Sequence, residues 1–128
     1  MFELELMSLN GKRKVQNVKS VIIPTSDGNR TVLDKHMDIV VEVVPGVAKL
    51  RTEKDIVLYF VSNGIFHFSK SKGTMIVDTY ESTEDIDFLR AHRALDHASS
   101  VLHESHDDFE IKKAEQALKR ALGRLRLE

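Results

Sequence analysis

Tyr80-Glu81-Ser82-Thr83-Glu84-Asp85-Ile86-Asp87-Phe88-Leu89-Arg90-Ala91 is the stretch at which this sequence changes its period. Before it, apolar residues recur every second position. Phe2, Leu4 and Leu6 alternate with Glu3 and Glu5, the pattern of a strand with one wet face. β-branched and aromatic runs follow at Val15–Ile23, Ile39–Val44, Val47–Leu50, Ile56–Val61, Ile65–Phe68 and Thr74–Thr79. Turn-forming residues separate them: Ser26-Asp27-Gly28-Asn29, Pro45-Gly46, Ser62-Asn63-Gly64 and Lys70-Ser71-Lys72-Gly73. Strands this short and this closely spaced predict an antiparallel sandwich or a flattened barrel over residues 1–82.

After the stretch, over residues 83–128, Ala and Leu take helical spacing: Leu95, Ala98 and Val101/Leu102, then Ala114, Ala117/Leu118, Ala121/Leu122 and Leu125. Ser82 or Thr83 is the expected first N-cap. Asp107 or Asp108 is expected to cap a second helix, with Glu110 placed for a capping box. The alanines allow close approach of the two helices. A hairpin this short has little interior and must lean on the sandwich, a partner or a ligand.

Folding the hairpin about a loop near position 105 sets Arg90 level with Arg120 and Asp87 level with Gly123. Spacings of three and four put Asp87 with Arg90, and Arg120 with Arg124, on one face each. Three guanidinium groups and a carboxylate thus gather at one end of the hairpin. Solvated arginines on an amphipathic helix contribute little by themselves. Here they share a level across two helices, and the planar fork of arginine suits phosphate. The cluster points to polyanion binding or to docking on an acidic surface.

Composition narrows the remaining classes. The chain has 128 residues, a net charge of −1, 41% hydrophobic and 30% charged residues, as in a soluble globular protein. Near-neutral charge gives no global steering toward nucleic acid, although residues 112–127 hold Lys112, Lys113, Lys119, Arg120, Arg124 and Arg126 against Glu115 alone. The lack of cysteine removes disulfides, thiol catalysis and thiolate zinc sites. The first residues do not form a signal peptide, and no apolar run is long enough to span a bilayer.

His92 and His97 are five apart, off a common helical face, and His103 and His106 fall at a helix end and a turn, so no metal is expected. His67, flanked by Phe66 and Phe68, is expected on the opposite face of its strand from those aromatics. No catalytic triad, P-loop or Gly-rich phosphate cradle is present, and the aromatics read as core rather than a nucleic-acid platform.

Three further features carry a resemblance. Val18-Lys19-Ser20-Val21 leads into Ser26-Asp27-Gly28, followed by Pro45-Gly46-Val47 and Ser62-Asn63-Gly64-Ile65. Ile86-Asp87-Phe88-Leu89-Arg90-Ala91 fits a nucleotide-binding motif of Ile or Leu, Asp, two free positions, Arg and Ala. Asp107-Asp108 and Ala117-Leu118-Lys119-Arg120-Ala121-Leu122-Gly123-Arg124-Leu125 complete the pattern. In this order, and over essentially the whole chain, the sequence resembles the epsilon subunits of F-type ATP synthases. The resemblance implies a β-sandwich of about ten short antiparallel strands followed by a two-helix hairpin. It implies a non-catalytic rotor subunit whose sandwich meets the gamma subunit and the c-ring. Its hairpin would rest folded down, or extend into the catalytic alpha/beta hexamer and block ATP hydrolysis. ATP would be a regulatory ligand of the folded-down state. Membrane association, at the cytoplasmic face, would come only through the complex.

Matched residue by residue, Glu81, Ile86, Asp87, Arg90, Ala91, Arg120 and Arg124 occupy the positions used for ATP. The arginines would meet phosphate, and Glu81 and Asp87 the adenine or ribose. His97, Val101 and Lys113 stand where some family members carry further arginines. Asp27, Gly28 and His36 match the region facing gamma and the c-ring, but Asn29–Asp38, expected as a loop, departs from the family pattern and keeps only His36. That departure leaves open an epsilon-like subunit of a repurposed rotary ATPase without a c-ring. A free-standing ATP- or polyanion-sensing domain is the reading outside the family.

Overall fold

The computed structural model describes residues 1–105 and 107–128, so His106, one of the histidines weighed for a metal, lies outside the described residues. Among the described residues, ten strands precede two helices: β1 (Phe2–Ser8), β2 (Arg13–Val18), β3 (Ser20–Thr25), β4 (Gly28–Leu33), β5 (Ile39–Val43), β6 (Gly46–Arg51), β7 (Ile56–Val61), β8 (Gly64–Ser69), β9 (Lys72–Val77), β10 (Tyr80–Ser82), α1 (Phe88–Glu104) and α2 (Asp108–Leu125). One sheet runs β2-β1-β9-β8-β5 and the other β10-β7-β6-β3-β4. The pairings are antiparallel except β1 with β9, which run parallel from Glu3 beside Lys72 to Ser8 beside Val77.

The alternation read in the sequence sets the core. Leu4, Leu6, Val21, Ile23, Val32, Leu50, Phe66, Phe68 and Met75 are buried between the sheets. Phe2 packs edge-on against Phe68, ring centroids 5.1 Å apart, an arrangement that favours the positive ring edge over the negative face. His67 lies exposed between its two buried neighbours, as period two requires.

The run Val15–Ile23 is divided. Val18 and Val21 both point into the core, and residues three apart cannot share a face of one continuous strand. The chain therefore leaves the first sheet at Val18 and joins the second at Ser20, with the Lys19 amide donating to the Arg51 carbonyl. The expected loop over Asn29–Asp38 is corrected in its first half, because β4 pairs with β3 from Gly28 beside Thr25 to Leu33 beside Ser20. This edge strand buries only Val32, so its sequence carries no alternating signal. Gly28 closes the β3–β4 turn at φ +106°, a left-handed conformation open to glycine at no steric cost. At the β8–β9 turn, Gly73 sits in β9, and the left-handed positions are taken by Lys70 and Ser71 at φ 52° and 58°.

Neither Ser82 nor Thr83 caps α1. Ser82 donates its amide and hydroxyl to Asp85 Oδ2, and the Asp85 amide returns to the Ser82 carbonyl, closing a turn that holds the chain off the helical path. Asp87, extended at φ −86° and ψ 94°, caps instead and accepts from the Arg90 amide. Asp107 caps α2 as expected, accepting from Phe109 and Glu110. The reciprocal half of the capping box is not made: Glu110 accepts from the Ser105 hydroxyl.

The hairpin packs through Ala91, Ala98, Ala114 and Ala121, all buried. It rests on the outer face of the second sheet through a small apolar cluster of its own, where Phe60, Ile86 and Leu127 meet half-buried Val47 and Phe88. Full burial of Phe60 on that outward face is worth about 1.5–3 kcal/mol. Gly123 allows this approach, since a Cβ there would lie 2.7 Å from the Phe60 ring.

Candidate functional site

A cleft of about 390 Å³ opens where the base of the hairpin meets β10, lined by Glu81, Asp85, Asp87, Arg90, Ala91, Ala94, Ala117, Arg120 and Arg124. The fold thus brings together six of the seven residues singled out from the sequence. Ile86 is the exception: it turns away, buried against Phe60 and Leu127, and seats the linker on the sheet.

Within the cleft several charges are already engaged. Arg124 makes a two-pronged pair with Glu81, Nε to Oε2 at 2.9 Å and Nη2 to Oε1 at 3.2 Å, and its guanidinium lies 4.5 Å from the centre of the Phe60 ring. Asp87 Oδ1 accepts from the Arg90 amide at 3.0 Å, so this carboxylate serves the N-terminus of α1. Asp85 Oδ2 accepts from Ser82 and from Lys12 Nζ at 3.3 Å. Hydrogen bonds from Ser82, then Lys12, hold the Asp85 carboxyl below its usual pKa. Arg90 and Arg120 are the two cleft guanidiniums that form no ion pair among the described residues.

Ala117 also lines a neighbouring hollow of about 380 Å³ along the hairpin, bounded by His97, Ala98, Val101, Glu110, Lys113 and Ala114. His97, Val101 and Lys113 line this hollow, which shares Ala117 with the cleft. A larger open depression, about 550 Å³, lies at the β5–β8 edge, but its polar side chains are Glu42, Asn63 and Asp78, with no cation to complement an anion.

Sequence reading missed Asp85, Ala94, Ala117 and Lys12. Ser82 with Asp85 at i, i+3 is a side-chain turn pattern and offered a signal for Asp85. Nothing local marks Lys12, 73 residues away. Asp27, Gly28 and His36 are not brought together. The first two form the β3–β4 turn and His36 follows the far end of β4, roughly 17 Å away along a six-residue strand. The His36 ring packs edge-on to Phe68 with centroids 6.2 Å apart. Among the described residues no group of three His, Asp or Glu is placed to hold a metal ion.

A sandwich carrying a folded-down helical hairpin defines a two-domain class, the delta/epsilon chains of ATP synthase. Residues 1–83 match the β-sandwich domain of that family and residues 84–127 its long α-helix domain. The chain belongs to this family as an epsilon chain, a non-catalytic stalk subunit of the ATP synthase. It is 33% identical over 125 residues to the ATP synthase epsilon chains of Staphylococcus aureus strains JH9 and Newman, covering 97% of this chain and 93% of those relatives. The fold recurs in a cryo-EM structure of the Euglena gracilis mitochondrial ATP synthase (OSCP/F1/c-ring, rotational state 1). That match has a TM-score of 0.84 and 23% identity over 94% of this chain and 76% of that one. It recurs again in the Tetrahymena thermophila mitochondrial ATP synthase central stalk/c-ring, with TM-score 0.65 and 8% identity over 97% and 93% of the two chains. Among the described residues no helix is long and apolar enough to cross a membrane.

Proposed function

We propose that this chain works as a rotor subunit of a proton-translocating ATP synthase, at the cytoplasmic face of the membrane. Its sandwich would join gamma to the c-ring, and its hairpin would regulate ATP hydrolysis, folded down when ATP occupies the cleft and extended into the alpha/beta hexamer otherwise. The observation that carries the reading is the cleft itself: Arg90 and Arg120 stand on two different helices of a hairpin that leans on the sheet through a small apolar cluster and the Arg124–Glu81 pair. A ligand spanning both helices is bound only by the compact arrangement. It favours that arrangement by RT ln(1 + [L]/Kd), about 2.7 kcal/mol at a hundredfold excess over Kd. The basic face of α2 would meet acidic segments of the hexamer on extension, and the same arginines cannot serve both states at once.

Calorimetric titration of the chain with ATP tests the cleft. Removing both free guanidiniums by Arg90→Ala with Arg120→Ala should weaken binding by roughly 3 kcal/mol or more, the loss of two charge-assisted bonds. Equal binding by the double variant would sink the assignment. Co-purification tests the assembly: gamma, catalytic subunits and c-ring are expected together. Recovery of gamma and the catalytic subunits without any c-ring would support the repurposed ATPase instead.

A further inference from the structure

We propose that the open edge of the sandwich, where β2 of one sheet faces β7 and β10 of the other, is an anion site that holds one small oxyanion of the phosphate class against Lys14. The inference goes beyond the reading of the hairpin cleft and does not rest on it.

Lys14 is the residue out of place. On β2 it pairs with Leu6 of β1, whose side chain is wholly buried, so Lys14 projects toward the gap between the sheets and stands exposed at its mouth. Its Nζ donates to the Tyr59 hydroxyl at 2.9 Å, and a phenol that accepts keeps its own proton to donate. No carboxylate pairs with Lys14 among the described residues, whereas its neighbours are committed, Arg13 to Glu5 and Lys12 to Asp85. Edge strands often carry an inward charge that discourages pairing with another chain, and this accounts for Lys14 alone. It does not account for the groups beside it. Tyr80 is only 3% exposed and lines the same hollow, yet its hydroxyl has no hydrogen-bond partner among the described residues. Burial pushes the Tyr80 phenol above its usual pKa, so at neutral pH it keeps a proton to donate. Gln16, two residues along on the same side of β2, leaves its amide nitrogen unpartnered as well. Buried donors without an acceptor are costly, and those that remain in a folded protein call for a partner. The edge thus gathers donors around an unpaired ammonium, and its one carboxylate, Asp85, is already held by Lys12. An anion supplies the missing acceptors, with charge-assisted bonds to Lys14.

Size sets the class of anion. The hollow measures about 190 Å³, below the roughly 300–1,000 Å³ of pockets for larger ligands, so it takes a single small oxyanion and not a nucleotide. It also lies across β10 from the hairpin cleft. Tyr80 and Ser82 point to the inner side of that strand and Glu81 to the outer, and Asp85 alone lines both hollows.

Inorganic phosphate, titrated into the full chain at constant ionic strength and followed by amide NMR shifts, tests the site. The amides of Lys14, Gln16, Tyr59 and Tyr80 should move along one saturable curve, and sodium chloride alone should leave them in place. Lys14→Met, which keeps a long unbranched chain and loses the charge, should weaken the affinity read at Tyr59 and Tyr80 about tenfold or more. Tyr80→Phe, which removes only the hydroxyl, should weaken it about two- to tenfold. Arg90→Ala with Arg120→Ala should leave the curve unchanged. Shifts that never saturate, equal shifts with chloride, or a curve that survives Lys14→Met would overturn the site. Loss of the curve in Arg90→Ala with Arg120→Ala would assign the phosphate to the hairpin cleft and overturn it equally.

Discussion

Lys70 and Ser71 occupy the two central positions of the β8–β9 turn with φ of 52° and 58°, both left-handed, where the crowding of Cβ against backbone costs a non-glycine residue about 1 kcal/mol. A two-residue hairpin needs this geometry because its twist matches that of the flanking strands. The strain is therefore imposed by the register of Ser69 opposite Lys72 rather than by the residues themselves. Replacing the pair by Asn at 70 and Gly at 71 should raise stability by about 1 kcal/mol, seen as a higher denaturant midpoint with an unchanged slope. Asp87 shows another case, a residue that lines the cleft and also has a local structural role. Its carboxylate accepts from the Arg90 amide at the head of α1. That bond was open to sequence reading, since Asp is among the best caps, but Ser82 carries the same signal five residues earlier, and only its engagement with Asp85 removes it from the role.

Among the elements, α2 carries the largest conflict between propensity and packing. A glycine inside a helix costs about 1 kcal/mol relative to alanine, so Gly123 would ordinarily be a site for improvement. Here Gly123→Ala would drive a Cβ to 2.7 Å from the Phe60 ring and 3.5 Å from the Gly46 Cα. The overpacking should outweigh the propensity gain and loosen the hairpin by about 1–3 kcal/mol. Far-UV circular dichroism should keep its helical signal, while a fluorescence distance pair between sandwich and α2 reports a wider separation. A tighter hairpin in this variant would contradict the packing described. The strands show a related limit. Those with one buried face announced themselves by alternation, whereas β4, with only Val32 buried, and the three-residue β10 did not.

Across the whole molecule, carboxylates tie separate segments together. Glu5 on β1 is bound by Arg13 on β2, at 3.1 and 3.2 Å, with Lys72 on β9 at 3.8 Å. Asp85 in the linker is bound by Ser82 and by Lys12 from the β1–β2 turn. The hydrogen bond from Arg13 holds the Glu5 carboxyl below its usual pKa, and Ser82 does the same for Asp85. Both groups thus ionise at lower pH folded than unfolded, so on acidification the unfolded chain takes up protons first. The stability they contribute is complete above their ordinary pKa values, about pH 4 to 5, and is lost as pH falls through the depressed folded values. Denaturant midpoints measured from pH 7 to pH 3 should stay level and then drop below about pH 4. Glu5→Gln with Asp85→Asn should flatten that drop, and an unaltered profile in the double variant would assign the acid sensitivity elsewhere.

The division of this protein follows the range of the forces involved. Period-two alternation, turn residues and alanine spacing act between near neighbours, so the sandwich, the hairpin and the gathering of Arg90, Arg120 and Arg124 at one hairpin end were legible along the chain. The allegiance of each charge was not. Glu81 reaches Arg124 across 43 residues and Lys12 reaches Asp85 across 73, and no local pattern encodes either. Which sheet each half of Val15–Ile23 joins, where β4 pairs, and that Ile86 seats the linker rather than lining the cleft depend on long-range packing. Sequence determined the presence of three arginines, and the tertiary structure decided that, among the described residues, one is paired with the sandwich and two form no ion pair, because charge pairing follows distance in space rather than in the chain.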